Sequence, residues 1–320
     1  MKKLGFLLVL MLSVPAFAAV AEPKQDISAA KTASVNAIGE METFRTKYED
    51  TLVHIARKYK LGFVEMVAAN PELDPWMPGS GSKVILPTKH LLPNGPRQGV
   101  VINLSEMRLY VYPKSGGEPT SYPIGIGRDG LATPIGSTTV VRKVDGPVWR
   151  PTERMRKEDP KLPAEVPPGI ENPMGSHALY LGWPTYAIHG TNKPYAIGRR
   201  VSSGCIRMYP EDIVEVYKLV PNGSKVTVID QPVKVQWLGN DLYMEAHPTQ
   251  EHANMIEKNT GKPVYEVTEA ETSRITKAAG KDAEALDWRA VRKALLERKG
   301  YPVKIGTRAS GSVHQVSTAP

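Results

Sequence analysis

The apolar run Leu4 to Val14 follows Lys2 and Lys3 and precedes Ala16-Phe17-Ala18. That order of charged, apolar and small-x-small segments predicts a cleaved secretory signal over residues 1–18. The run is too short to span a bilayer, and no later stretch reaches about 18 consecutive apolar residues. Residues 19–41 are small, polar and aperiodic, and read as a linker. An ordered pattern begins in the unit 42–88. After an extended start, Asp50-Thr51-Leu52 opens a helix with Leu52, Ile55, Ala56 and Tyr59 at helical spacing. A second short helix runs through Val64 to Ala68 and stops near Asn70-Pro71, and a turn at Pro78-Gly79-Ser80 leads into a strand from Val84 to Pro87. The outline is βααβ.

Residues 88 to 98 read as a second linker. From Gly99 the segments VVINL, MRLYVYP, TSYPIGIG and TTVVRKV are rich in Val, Ile and Tyr and are separated by turn residues, which predicts short strands. Residues 146 to 173 form a proline-dense insertion with a charged helix expected at Glu153 to Asp159; an insertion of this length in a compact domain suits a lid over a cleft. A strand region follows and ends at His189-Gly190, and RRVSSGCIRM forms a Gly/Ser loop. Next comes a helix with Pro210 in its first turn and Ile213, Val216, Tyr217 and Val220 on its buried stripe, and a strand at Lys225 to Ile229 closes the unit 98–231. In the C-terminal extension, 232–320, a strand-like stretch (VKVQWLGNDLYMEA) precedes a polar region with one helix expected from Asp282 to Arg298 and a disordered tail. The overall class is mostly β, with an α/β extension.

Composition changes this picture in two places. Lys and Arg exceed Asp and Glu by 41 to 33, a formal charge of +8 that becomes +6 once Lys2 and Lys3 leave with the signal (8 − 2). Export makes nucleic acid an unsuitable partner for this modest charge, whereas an anionic, carboxylate-rich polymer such as the cell wall fits. The second change comes from a single cysteine. Exported proteins carry cysteines in pairs that oxidise to disulfides, so a lone thiol outside the cytoplasm points to its own reactivity.

Cys205 lies in Ser202-Ser203-Gly204-Cys205-Ile206-Arg207, a setting of Gly, Ser and Arg unlike that of an inert core cysteine. Arg199, Arg200 and Arg207 favour thiolate. Gly204 permits a tight turn in which the N–H groups of 204 and 205, with Ser203 in the same loop, converge on a developing oxyanion. The base is sought among seven histidines. His54 reads as a surface residue, and His90, His247, His252 and His314 fall in linkers or the C-terminal part. His189, at a strand end before Gly190, is the better candidate, with His177 as the lesser one. Metal binding has no support: there is one cysteine, no HExxH and no paired histidine spacing. Gly125 to Gly130 matches GxGxxG superficially but reads as a β-turn, so no cofactor is expected.

Two resemblances follow from these residues. YEDTLVHIARKY, AANP, PGS and VILP in the βααβ unit resemble a LysM module; this implies binding of N-acetylglucosamine-containing glycan near Asp50, Thr51 and Asn70, with Glu49 standing where the family commonly has Gly. His189-Gly190 followed sixteen residues after the histidine by the cysteine of SSGCIRM, together with Thr133-Pro134-Ile135-Gly136, resembles the signature of YkuD-type L,D-transpeptidases. That resemblance covers about residues 98 to 231. It implies a β-sandwich-like catalytic domain, a periplasmic setting, a histidine oriented by a backbone carbonyl or small polar residue, and a thiol that carbapenems acylate. The reaction implied is thioester formation at the third residue of a tetrapeptide stem, with release of D-Ala. Arg207 and Gly190 would line the substrate site. The acceptor would be a lysine of an outer-membrane lipoprotein or, alternatively, another stem peptide in a 3→3 cross-link. Rival readings are an amidase or carboxypeptidase using the same site, an NlpC/P60- or papain-like peptidase, whose cysteine precedes its histidine, and a non-catalytic wall-binding protein.

Overall fold

Two antiparallel pairs frame the first folded unit. Strand β1 (Ala37–Ile38) pairs with β4 (His90–Leu91), and β2 (Glu42–Arg45) pairs with β3 (Lys83–Leu86). Between β2 and β3 lie α1 (Leu52–Lys58) and α2 (Phe63–Ala69), so the βααβ order expected from the pattern is present. Thr51 caps α1 by accepting from the His54 N–H at 3.1 Å. The computed structural model describes residues 35–308; the signal at 1–18, most of the 19–41 linker and the tail after 308 lie outside the described residues.

The β segments after residue 98 are β5 (Gly99–Asn103), β6 (Arg108–Tyr112), β7 (Thr120–Gly127), β8 (Gly136–Asp145), β9 (His177–Leu181), β10 (Ala187–His189), β11 (Arg200–Ser202), β12 (Ile206–Met208) and β13 (Lys225–Ile229). They join in the order β11-β7-β12-β10-β9-β8-β13-β5-β6, and β6 also pairs with β7. The sandwich-like expectation is corrected here: one sheet curls until β6 meets β7, with β11 left as an edge strand beside β7. Strand β7 makes this possible, because Thr120–Pro123 pair with β6 while Ile124 and Gly125 pair with β12. The core inside contains Val100, Ile102, Leu109, Ile124, Ile188, Ile206 and Met208. Helix α4 (Pro210–Leu219) adds Ile213 and Val216 to it. The proline-dense insertion carries α3 (Glu153–Glu158) and an isolated bridge between Trp149 and Val166. Of the GxGxxG stretch, Gly125 and Gly127 lie in β7 and only its end turns.

The C-terminal extension is more ordered than its polarity suggests. Strands β14 (Val233–Leu238), β15 (Asp241–Ala246) and β16 (Val303–Thr307) form a separate sheet. Helices α5 (Gln250–Lys258) and α6 (Glu269–Ala279) were hidden by narrow apolar stripes, with only Ala253 buried in α5, whereas α7 (Trp288–Glu297) answers to the expected helix. The single helix expected over 282–298 begins at Trp288, after a 3-10 segment at Gly280–Ala285.

The expected linkers do not behave as spacers. Ile38, Leu91 and Leu92 are buried, and Val53, Phe63 and Val64 of the βααβ unit belong to the same core as the curled sheet. A buried ionic node fastens the parts. Lys234 Nζ lies 2.7 Å from Glu106 and 2.7 Å from Glu245 and donates to the Leu91 carbonyl at 2.7 Å. Arg108 pairs with Glu65 of α2 at 3.0 Å. His90 and His247, placed by sequence in a linker and an extension, are both buried at this node. Breaking one partner strands the others in a low-dielectric interior, which costs about 3–5 kcal/mol. Lys234→Ala should therefore lower unfolding free energy by about that amount in denaturant titration, and a loss under about 1 kcal/mol would show that the node is not a fastening point.

Candidate active site

Strands β10 and β12 run parallel, with Ile188 opposite Ile206 and His189 opposite Arg207. Side chains alternate across a sheet, so the fully buried Ile188 and Ile206 point into the core while Ala187, His189 and Arg207 face the other way. One residue before β12, Cys205 continues the alternation on the Arg207 face. On β9, Ala178 stands opposite His189 and Tyr180 opposite Ala187. This outer face is covered from the insertion: Met174, Ala178 and Ala187 form a small apolar cluster against which Trp149, Tyr180 and Cys205 pack.

His189 is buried, and its Nδ1 lies 2.6 Å from the Gly190 carbonyl. A carbonyl only accepts, so Nδ1 carries the proton of the neutral ring and Nε2 keeps its lone pair. The Met174 carbonyl also stands near the ring and favours its protonated form. Burial first, and then the positive charge of Arg207, push the His189 pKa down to about 4. Burial raises the Cys205 thiol, with partial offsets from the Ala187 N–H and from Arg207. The thiol donates to the Thr185 carbonyl at 3.4 Å. Burial thus disfavours the charged form of both groups. Burial lowers the Arg207 pKa, and its buried Nε has no hydrogen-bond partner among the described residues.

The loop before Cys205 is tied down by Thr133 and Ser202, which the sequence motifs contain without revealing their role. The Thr133 hydroxyl donates to the Gly204 carbonyl at 2.8 Å and accepts from the Gly127 N–H at 3.1 Å. Ser202 Oγ accepts from the Gly204 N–H at 3.1 Å and donates to the Cys205 carbonyl at 2.6 Å. This corrects one expectation: the Gly204 N–H is engaged within the loop instead of pointing to an oxyanion. Gly204 has another role. Its φ is +108°, and a Cβ there would lie 2.8 Å from the Tyr186 ring. Ser203 is half-buried in the same loop, and Gly190 is buried behind His189. His177 faces Asp145 and Tyr217 instead of the thiol.

Asp50, Thr51 and Asn70 stand elsewhere, in the βααβ unit, and their polar groups are occupied. Asp50 accepts from the Lys47 N–H, Thr51 caps α1, and Asn70 bonds Met66 and both polar groups of the Ile85 backbone. Among the described residues, one group has the composition of a metal site: ligand atoms of His90, Glu106 and Glu245 lie within 4.8 Å of one another. The Lys234 ammonium already supplies positive charge there, 2.7 Å from each carboxylate. No helix among the described residues is long and apolar enough to cross a membrane.

Comparison with known proteins converges on the same segment. The family model described as the YkuD L,D-transpeptidase catalytic domain matches residues 97–228. A protein named Probable L,D-transpeptidase YcfS, from Escherichia coli (strain K12), is 39% identical over 275 residues, which cover 83% of this chain and 82% of the relative. Probable L,D-transpeptidase YbiS, from the same strain, is 40% identical over 261 residues, 79% of this chain and 83% of the relative.

The His189 environment predicts acid sensitivity. The folded ring binds a proton near pH 4, against an ordinary value of 6.5, so the unfolded chain holds more protons in that interval. Stability contributed by the neutral ring is present above pH 6.5 and is lost as pH falls toward 4, by up to about 3 kcal/mol. In denaturant titrations at several pH values, His189→Gln should flatten that part of the curve. An unchanged curve would place the acid sensitivity elsewhere.

Proposed function

Because the chain belongs to the YkuD-type L,D-transpeptidase family, we propose that Cys205 is its acylated nucleophile and His189 its general base. One observation carries this reading: His189 stands opposite Arg207 across the parallel pair of β10 and β12, Cys205 packs against Ala178 and Ala187 beside it, and the Nδ1–H of His189 is held on the Gly190 carbonyl.

The thiol of Cys205 attacks the carbonyl joining meso-diaminopimelate to the terminal D-Ala of a tetrapeptide stem as its proton passes to His189 Nε2. The Cys205 N–H, with Ser203 beside it, steadies the tetrahedral oxygen in place of the engaged Gly204 N–H; one such donor is worth about 10² to 10³ in rate. His189 then protonates the departing D-Ala amine, leaving a thioester. It next takes a proton from an acceptor amine, which attacks the thioester and frees the thiol. Arg207, unpartnered at Nε and on the same face, suits a carboxylate of the stem. The apolar cover of Trp149 and Met174 keeps water from the thioester, as transfer to an amine requires.

The acceptor is a lysine side chain of an outer-membrane lipoprotein, which the transfer anchors to the wall; another stem's side-chain amine is the alternative. On this reading residues 98–231 are the catalytic domain, 42–88 a LysM module that holds the enzyme on glycan, and 232–320 an extension. The enzyme works in the periplasm after loss of residues 1–18. The half-exposed Trp76 in the α2–β3 loop offers a ring face for a sugar, which supports the glycan reading.

Mass spectrometry of the protein mixed with disaccharide-tetrapeptide should show a thioester on Cys205 and free D-Ala, with both lost in Cys205→Ala. With a lysine-bearing peptide or a second stem present, the product should be the corresponding amide. Tripeptide alone, formed at the same rate with and without an amine, would instead identify a carboxypeptidase. Release of D-Ala by Cys205→Ala would overturn the assignment of the nucleophile.

A further inference from the structure

Behind the His189 ring stands a turn that neither its sequence nor the proposed chemistry accounts for. Asn172 closes the proline-dense insertion and is completely buried. Its Nδ2 donates to the carbonyls of Pro147 at 2.8 Å, Val166 at 3.1 Å and Pro167 at 3.0 Å, and its Oδ1 accepts from the Met174 N–H at 2.8 Å. One side chain thus gathers the start of the insertion, its return strand and its exit. The Asn172 carbonyl then accepts from the Gly175 N–H at 2.9 Å, closing a tight turn from 172 to 175.

That turn is pressed against the base. Gly175 has φ +65°, and a Cβ added there would lie 2.6 Å from the Thr191 nitrogen and 2.8 Å from the Gly190 carbonyl carbon. The Met174 carbonyl stands against the Gly190 backbone, 3.4 Å from where a Cβ on Gly190 would lie, and the Met174 side chain belongs to the cluster that packs on Cys205. The two members of the reacting pair therefore share a neighbour, Met174, whose backbone is fixed by Asn172.

We propose that Asn172 is a positioning residue for the thiol–imidazole pair: it holds the Met174–Gly175 turn against Gly190, whose carbonyl orients His189, and keeps the Met174 side chain over Cys205. The proposal rests on the assignment of His189 as base. The insertion is then more than a cover; its closing asparagine sets the geometry of the reacting groups. Asn172 touches neither sulfur nor imidazole and acts only through Met174.

Asn172→Ala removes all four side-chain hydrogen bonds. Asn172→Asp keeps the acceptor for Met174 N–H and the shape, but replaces the donor to three carbonyls by a charge. Gly175→Ala attacks the same contact from the other side while leaving Asn172 intact. For each variant that folds, kcat for D-Ala release should fall about 10- to 100-fold, as expected for a displacement of about 1 Å. KM should stay within about twofold, because binding groups are untouched. Nitrogen-15 NMR of His189 should change from a single Nδ1–H tautomer to a mixture, a readout independent of turnover. In the wild type, the Met174 amide should exchange with solvent as slowly as the strand amides of β9 and β10. Fast exchange of that amide overturns the proposal even if no variant folds. So do folded variants with reduced melting temperature but wild-type kcat and an intact Nδ1–H signal, which would make Asn172 structural only. If the wild-type NMR signal is as expected but Cys205 forms no thioester, the assigned reaction fails while the placement of the ring by Asn172 stands.

Discussion

Strands β10 and β12 are three residues each and run side by side in the same direction, and the chemistry of the molecule depends on their register. A slip of one residue would turn His189 into the apolar core and bring Ile188 out beside the thiol. The register is fixed from both faces. Inside, Ile188, Ile206 and Met208 are fully buried in a core shared with α4. Outside, the small residues Ala178 and Ala187 leave room for Met174 and Trp149 to settle over the sulfur. The same packing that sets the register buries the imidazole and much of the thiol, and burial disfavours the charged form of both.

The closed sheet is unusual in how its closure serves the site. Strand β7 crosses from β6 to β12, so the strand that completes the ring also flanks the strand beside Cys205. Its last residue, Gly127, donates to the hydroxyl of Thr133, which in turn bonds Gly204. Closure of the fold and placement of the Cys205 loop are thereby linked through one threonine. Farther away, the Lys234 node joins β4, β14 and β15 through buried charges, and Arg108 with Glu65 ties in α2. The three segments distinguished by sequence pattern thus fold against one another instead of hanging on flexible tethers.

Much of this was legible in advance, and the omissions have physical causes. The βααβ unit, the β segments from 99 onward and the helix at Pro210 were visible because each carries a clear apolar period bounded by turn residues. Cys205 and His189 stood out through chemistry, one as an unpaired cysteine and the other through its place at a strand end. Closure of the sheet was invisible because β7 pairs with its neighbour β6 and also with β12, far along the chain, and no local pattern encodes that second pairing. Helices α5 and α6 were missed since their buried faces are narrow; α6 is fixed largely by the Thr268 cap and the bond between Arg298 and Glu271. Thr133 and Ser202 lie inside motifs visible in the sequence, but their roles, like that of Asn172, rest on bonds to backbone groups that residue type alone does not reveal. For Asn172 the one available signal was an Asn-Pro step at the end of a proline-rich run, which marks a turn but not its neighbour.

The central claim is that the fold presents a neutral thiol and a neutral, Nδ1-protonated imidazole, not a preformed ion pair. The thiolate absorbs in the ultraviolet, and a single cysteine makes the wild-type minus Cys205→Ala difference spectrum unambiguous. Recorded as pH is raised, that spectrum should show no thiolate near neutrality and a rise only above the range of an ordinary cysteine. A thiolate band already present at mildly acidic pH would mean an imidazolium–thiolate pair, and would contradict the account.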